Sequence, residues 1–250
     1  MCLILFSYKS HKKYKLILAA NRDEFYERPT LPMQWWENND GVLAGIDQDK
    51  HGTWMGVNKN GRFAALTNYR QMPITEKFDS SRGFLVSEFL TSDISRDEYI
   101  AELRSCTASY DGYNLLFGDV EKISYFSNKG AETAELEPGI YGLSNHLLNT
   151  AWPKVEAGKG RLQEIVEKDD VDTSSLFEMM ENTDFGQDSD LPDTGVGLEL
   201  ERILSAAFIK SPEYGTRCST VLLVDWENNV TFEERSYVPE ALNKFKFTIS

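Results

Sequence analysis

The residues of this chain best suited to chemistry stand near its start: Cys2 and the charged run Asn21-Arg22-Asp23-Glu24. A cysteine at a free amino terminus carries a thiol and an α-amine on one residue. The amine, with an ordinary pKa of about 7.7–8.0, is partly neutral at cellular pH and can take the thiol proton. Such a nucleophile brings its own base, as an N-terminal threonine does. Initiator methionine is normally removed before a residue as small as cysteine, so the processed chain is expected to begin at Cys2. Residues 2–8 and 15–21 are apolar runs joined by the polar link KSHKKY, which reads as a hairpin. With its turn near residue 11 or 12, antiparallel pairing sets Cys2 opposite Asn21 or an immediate neighbour. Arg22 is then a cation able to lower the pKa of the thiol. Asp23 is a carboxylate able to orient either Arg22 or the terminal ammonium. A solvated salt bridge at a polar strand end is the plainer reading of the same four residues.

Elements must hold these groups in place. Further strands are expected at 42–46, 53–58, 62–68, 113–118, 122–127, 216–225 and 229–236, with helical periodicity at 82–91, 95–105, 154–168, 173–182 and 196–208. Asn60-Gly61 marks a tight hairpin, and Pro153 suits the first turn of its helix. Strand pairs come first and last with helices grouped between, an order that gives an α+β fold of antiparallel sheets covered by helices. One domain spanning 1–250 is expected. The acidic stretch 184–195 reads as a loop.

Composition narrows the partners. The chain has 250 residues, 41% hydrophobic and 12% aromatic, enough for a sizeable core, with a formal net charge of −14. That charge repels a phosphate backbone, so nucleic acid is excluded as a partner, and no apolar run is long enough for stable membrane insertion. A basic cluster follows the opening apolar run, the reverse of a secretory signal. The three cysteines lie far apart without CxxC spacing, which points to free thiols in the cytoplasm and to no metal or other cofactor. Trp35, Trp36 and Trp54 read as core, His146 as a hydrogen-bonded histidine, His11 as surface, and Cys218 as a buried strand thiol.

Cys2 together with Asn21-Arg22-Asp23-Glu24 resembles the NRDE family, which includes the eukaryotic transport and Golgi organization protein 2 proteins. The resemblance continues through Gly52-Thr53-Trp54-Met55-Gly56-Val57, Leu66-Thr67-Asn68-Tyr69-Arg70, Gly142-Leu143-Ser144-Asn145 and Arg217-Cys218-Ser219-Thr220. More distantly the chain is similar to the cysteine N-terminal-nucleophile amidases, the bile-salt hydrolases and penicillin V acylases. That likeness implies an αββα sandwich with two antiparallel sheets between helical layers. It also implies Cys2 as nucleophile, Asn68 and Asn145 as oxyanion donors, and Arg22, Asp23 and Arg217 beside the nucleophile. The amidases carry arginine first, then asparagine, a spacer and aspartate; here the order is Asn-Arg-Asp without a spacer. Two classes of function follow. One is an amidohydrolase or acyltransferase acting on a small-molecule linear amide or related acyl bond. The other is a carrier on the same fold, which family associations connect with haem or lipid mobilisation or, in eukaryotes, Golgi organisation. A haem carrier needs an axial ligand and free arginines for the propionates, for which Arg22, Arg70 and Arg217 are the candidates.

Overall fold

The chain opens with β1 (Cys2–Tyr8), whose alternation feeds two different cores: Ile4, Phe6 and Tyr8 enter one, Leu3 and Leu5 the other. A strand apolar on both faces must be covered on both, and the rest of the fold supplies the covers. The structure, a computed structural model, describes all residues except 1, 73–77, 79, 131 and 132, and the side chains of Cys2 and Asp40 are also outside the description.

The following strands are β2 (Tyr14–Phe25), β3 (Thr30–Trp36), β4 (Asn39–Asp47), β5 (Met55–Asn58) and β6 (Arg62–Asn68). Helices α1 (Gly83–Thr91) and α2 (Arg96–Ser105) precede β7 (Tyr113–Asp119), β8 (Lys122–Ser127), β9 (Thr133–Glu135) and β10 (Gly139–Leu143). Then come α3 (Pro153–Val166), α4 (Thr173–Met180) and α5 (Leu198–Ser205), and finally β11 (Tyr214–Asp225), β12 (Asn229–Tyr237) and β13 (Glu240–Thr248).

Two antiparallel sheets result, a six-stranded one in the order β10-β1-β2-β11-β12-β13 and a seven-stranded one in the order β3-β4-β5-β6-β7-β8-β9. Leu16, Leu18, Leu222 and Phe232 of the first sheet meet Leu43, Val57, Phe63 and Leu116 of the second in a core between them. Ile17, Ala19, Val221 and Leu223 face outward onto Val155, Leu162, Leu176 and Phe177 of α3 and α4. Val42, Ala64 and Leu115 do the same against Leu85, Phe89 and Leu103 of α1 and α2. The layers are therefore α, β, β, α, as expected.

Local chemistry fixes the sheet corners. Between β5 and β6 the Asn58 side chain accepts from the N–H groups of Asn60 and Arg62, while its amide donates to the Leu90 carbonyl. Gly61 completes that turn at φ +82°. On β7, Gly118 sits at φ +147°, and an added Cβ would lie 2.0 Å from the Lys122 carbonyl oxygen. Gly118→Ala is expected to destabilise the protein by about 1–3 kcal/mol from the backbone alone. A urea unfolding midpoint equal to wild type would show that the hairpin relaxes freely.

His11 departs from its expected surface position, being 6% exposed. Its Nδ1 accepts from the N–H groups of Lys13 and Tyr14, which leaves Nε2–H to donate to the Lys168 carbonyl. The imidazole thus knots the β1–β2 turn and ties it to the end of α3.

Candidate functional site

Four neighbouring strands align the chemistry. Arg22 on β2 is paired with Cys2 on β1 and with Cys218 on β11, and Ser236 on β12 continues the row. The pairing expected from the hairpin thus holds to within one residue. The Cys2 thiol and Met1 lie outside the described residues. Between Thr216 and Cys218 the ladder shifts register, leaving Arg217 as the extra residue of a bulge. Bulges re-aim a side chain, and here the guanidinium reaches four carbonyls. Nη1 donates to Phe25, Tyr26 and Arg28 at 2.9, 2.6 and 2.7 Å, and Nη2 to Val238 at 2.7 Å. Arg217 therefore clamps the turn leading into β3 against the end of β12. Burial lowers its pKa, and the nearby charge of Arg22 adds to the shift.

Strand alternation splits the Asn-Arg-Asp-Glu run between two faces. Arg22 lies over the Trp54 ring at 4.2 Å, donates to Thr30 Oγ1 at 3.2 Å, and has Asp47 Oδ2 at 3.8 Å. Asp47 in turn is gripped by Arg28 at 2.7 Å, and its carboxyl is held below the ordinary range by that partner despite its burial. Asp47, not Asp23, is the carboxylate beside Arg22, because Asp23 alternates to the opposite face. There Asp23 is 1% exposed and accepts from Thr216 Oγ1 at 2.7 Å. Burial raises its pKa, opposed chiefly by the charge of Lys154. Asn21 shares that face: its amide donates to the carbonyls of Met180 and Ala207, and its oxygen accepts from Ser219 Oγ. Glu24 pairs with Arg28 at 3.5 Å. The motif thus builds a charged wall and a helix anchor together.

A cavity of about 100 Å³ opens beside this row, lined by Arg22, Asp23, Trp54, Leu66 and Asn68, with Arg28 and Asp47 among its other walls. Asn68 ends β6, and its side-chain amide has no hydrogen-bond partner among the described residues. Asn145 is fully buried; its amide donates to the Asn68 carbonyl at 2.9 Å, and its own carbonyl accepts from the Arg70 N–H at 2.7 Å. Asn68 is thus the amide presented to the cavity, and Asn145 braces it. Arg22, Asp23 and Asn68 are brought together; Asn145 and Arg217 act one step behind.

Sequence reasoning missed Glu234. It is 2% exposed on β12, accepts from the Met33 N–H at 2.8 Å and from Ser236 Oγ at 3.2 Å, and shares with Arg22, Cys218 and Trp54 a second cavity of about 20 Å³. Its even spacing from Val230 and Phe232 is the one signal in the sequence that it points inward. Burial pushes its pKa above the ordinary 4.5, partly offset by the bonds from Met33, Ser236 and the Cys218 thiol. A raised folded-state pKa contributes stability below the unfolded value that is lost as pH rises through the folded value. Glu234→Gln keeps an acceptor for Met33 and removes this dependence. Urea midpoints at pH 5 and 8 are expected to favour the variant more at pH 8; an equal difference at both would contradict the assignment.

His146 is hydrogen-bonded as expected, to Tyr69 at 2.7 Å and Thr150 at 2.9 Å, with its pKa lowered by burial. Trp35 and Trp54 pack against the core between the sheets and Trp36 against the outer one. Cys218 is buried on β11. Among the described residues no three His, Cys, Asp or Glu side chains are grouped to hold a metal ion. No helix among them is long and apolar enough to cross a membrane.

The chain is similar to known proteins at two levels, in fold and in sequence. Two solved structures share the fold: an N-acylethanolamine-hydrolyzing acid amidase ortholog from Caenorhabditis elegans and the conjugated bile acid hydrolase of Clostridium perfringens. The first has a TM-score of 0.57 at 12% identity, covering 89% of this chain and 92% of the other. The second has a TM-score of 0.56 at 10% identity, covering 99% of this chain and 92% of the other. At such identity the likeness is one of architecture, that of the N-terminal-nucleophile hydrolases. Sequence relatives are much nearer. The Bos taurus Transport and Golgi organization protein 2 homolog is 41% identical over 261 residues, spanning 94% of this chain and 93% of that protein. The Homo sapiens homolog is 38% identical over 271 residues, spanning 98% and 96%. With residues 1–239 also matching the family as a whole, the chain belongs to the Transport and Golgi organisation 2 family.

Proposed function

We propose that this protein is a cysteine N-terminal-nucleophile amidohydrolase or acyltransferase acting on a linear amide or related acyl bond. The observation that carries the reading is the register row in which Cys2 faces Arg22 beside a cavity lined by Asn68. After removal of Met1, the α-amine of Cys2 takes the thiol proton and the sulfur attacks the acyl carbon. The Asn68 amide donates to the oxyanion that forms. Collapse breaks the carbon–nitrogen bond, and the ammonium returns its proton to the leaving amine. Water then attacks the thioester, releasing the acid and restoring the thiol; an amine in place of water gives transfer. Arg22 supplies the positive field for the thiolate, and Arg217 and Asn145 hold the loops that carry the site.

The charged walls favour a short, polar acyl group. Arg22, Asp23, Glu24, Arg28 and Asp47 all line a space of only about 100 Å³, well under the roughly 300–1,000 Å³ of ordinary small-molecule sites. The two structural neighbours are named for hydrolysing N-acylethanolamines and conjugated bile acids, and a narrower substrate is expected here. A haem carrier is less well supported, because each arginine suited to propionates is committed. Arg22 is bound to Thr30 and Trp54, Arg70 to Glu201, and Arg217 to four carbonyls.

Asn68→Ala tests the oxyanion assignment. One such donor is worth about 10²–10³ in rate, so turnover of a short N-acyl amide is expected to fall by that factor with KM little changed. Turnover within twofold of wild type would remove Asn68 from the reaction.

A further inference from the structure

Two cavities flank Arg22, and among the described residues Arg22 and Trp54 alone line both. The first, of about 100 Å³, contains the Asn68 end of the site. The second, of about 20 Å³, lies on the Cys218 side. The Arg22 guanidinium lies over the Trp54 ring at 4.2 Å, so the two side chains form one partition between the cavities. An aromatic face is the apolar surface that a guanidinium tolerates best, because the ring quadrupole attracts the cation.

The indole is held by shape. A Cβ added at Gly45 on β4 would lie 2.2 Å from Cη2 of Trp54 and 2.5 Å from Cζ2. The outer edge of the ring is therefore seated against bare backbone and cannot retreat without moving β4. At the other end, the Trp54 carbonyl accepts from the Leu66 N–H at 2.9 Å, and Leu66 itself lines the larger cavity. With both ends fixed, the bulk of this one side chain decides where the larger cavity stops. Behind it the walls turn apolar, with Pro32, Val238 and Pro239 lining the second cavity. Val238 is 38% exposed, so that space leads towards the surface.

We propose, on the reading of Cys2 as the acylated nucleophile, that Trp54 determines acyl-chain length: its indole closes the acyl site after a few carbons, and a smaller ring opens the way to the second cavity. Cleavage of the acetyl and hexanoyl p-nitroanilides by wild type, Trp54→Phe and Trp54→Leu tests it. One methylene in an apolar pocket is worth about tenfold or more in kcat/KM, so wild type is expected to prefer the acetyl compound by at least about that factor. Trp54→Phe keeps an aromatic face under Arg22 on a shorter ring and is expected to shrink the preference, and Trp54→Leu to reverse it. The ratio is the readout, because disturbing Arg22 slows both compounds alike. A second measurement needs no turnover: calorimetric titration of hexanamide into Cys2→Ala and into Cys2→Ala with Trp54→Leu, both checked for folding by thermal melting. Hexanamide is expected to bind the double variant at least about tenfold more tightly. An unchanged chain-length ratio in both Trp54 variants, or equal hexanamide binding, would overturn the proposal. Tighter hexanamide binding with no turnover in wild type would count for Trp54 as the wall and against Cys2 as the nucleophile.

Discussion

Replacing Cys2 by alanine or serine is expected to lower amide turnover by at least about a thousandfold and to leave the thermal unfolding of the protein close to wild type. The residue begins an edge of the β1–β2 pairing and contributes its register through the backbone, which either replacement preserves. The other two thiols make poor substitutes. Cys218 is 3% exposed and bonded to a buried carboxyl. Cys106, at the end of α2, has its pKa raised by burial and by Glu102. At neutral pH a small electrophile should therefore label Cys2 first, and Cys106→Ala should label and turn over as wild type does. Full activity in Cys2→Ser would end the nucleophile assignment, since the hydroxyl of serine is a far weaker nucleophile beside an amine of unchanged basicity.

The second large effect concerns what holds Asn68 in place. Two residues after it, Arg70 enters a buried ion pair with Glu201 at 2.7 Å, with side chains 6% and 3% exposed, and its guanidinium lies 4.7 Å from the Trp152 ring. The other oxygen of Glu201 accepts from Thr194, and the Thr194 carbonyl accepts from Met72 N–H. This network ties the end of β6 to α5. Removing one member of a buried pair strands the other charge, at a cost of about 3–5 kcal/mol. Arg70→Ala is therefore expected to lower Tm by roughly 6–20 °C for a chain of this size. A double replacement, Arg70→Met with Glu201→Leu, should recover most of the loss, because apolar groups of similar volume strand no charge. A single variant that melts with wild type would show the pair to be hydrated rather than buried. Turnover in a partly stable Arg70 variant should also fall, since loss of the Glu201 pair loosens the backbone at residue 70, whose N–H anchors Asn145, which braces Asn68.

The sequence made the apolar parts of this fold easy to read and the polar strands hard. β1, β6 and β8 are found at their expected limits because their runs are apolar and bounded by turns. β2 was expected to stop at Asn21 yet continues to Phe25: the charged run is itself strand, with each side chain satisfied on its own face. β3 was missed because Pro32 argues against a central strand, and the structure resolves this by placing β3 at a sheet edge. β13 was missed for a related reason. It is an edge strand whose residues alternate between exposed and half-buried positions, and Lys244 and Lys246 interrupt its apolar pattern. At the site, Cys2, Arg22 and Asn68 could be named from residue type and motif. Asp47 and Glu234 could not, because each reaches Arg22 from a strand distant in sequence: Asp47 on β4 across the stacking of the two sheets, Glu234 on β12 from two strands away in the same sheet.

The central claim is that Cys2 forms an acyl-enzyme. The most direct measurement is intact-mass and peptide mass spectrometry of the purified protein after brief exposure to a short activated acyl donor. The account predicts a chain lacking Met1, a single acyl adduct on the peptide that begins with Cys2, and loss of that adduct in Cys2→Ala. A chain that keeps Met1 and carries no adduct, or one acylated equally at Cys106 and Cys218, would contradict it.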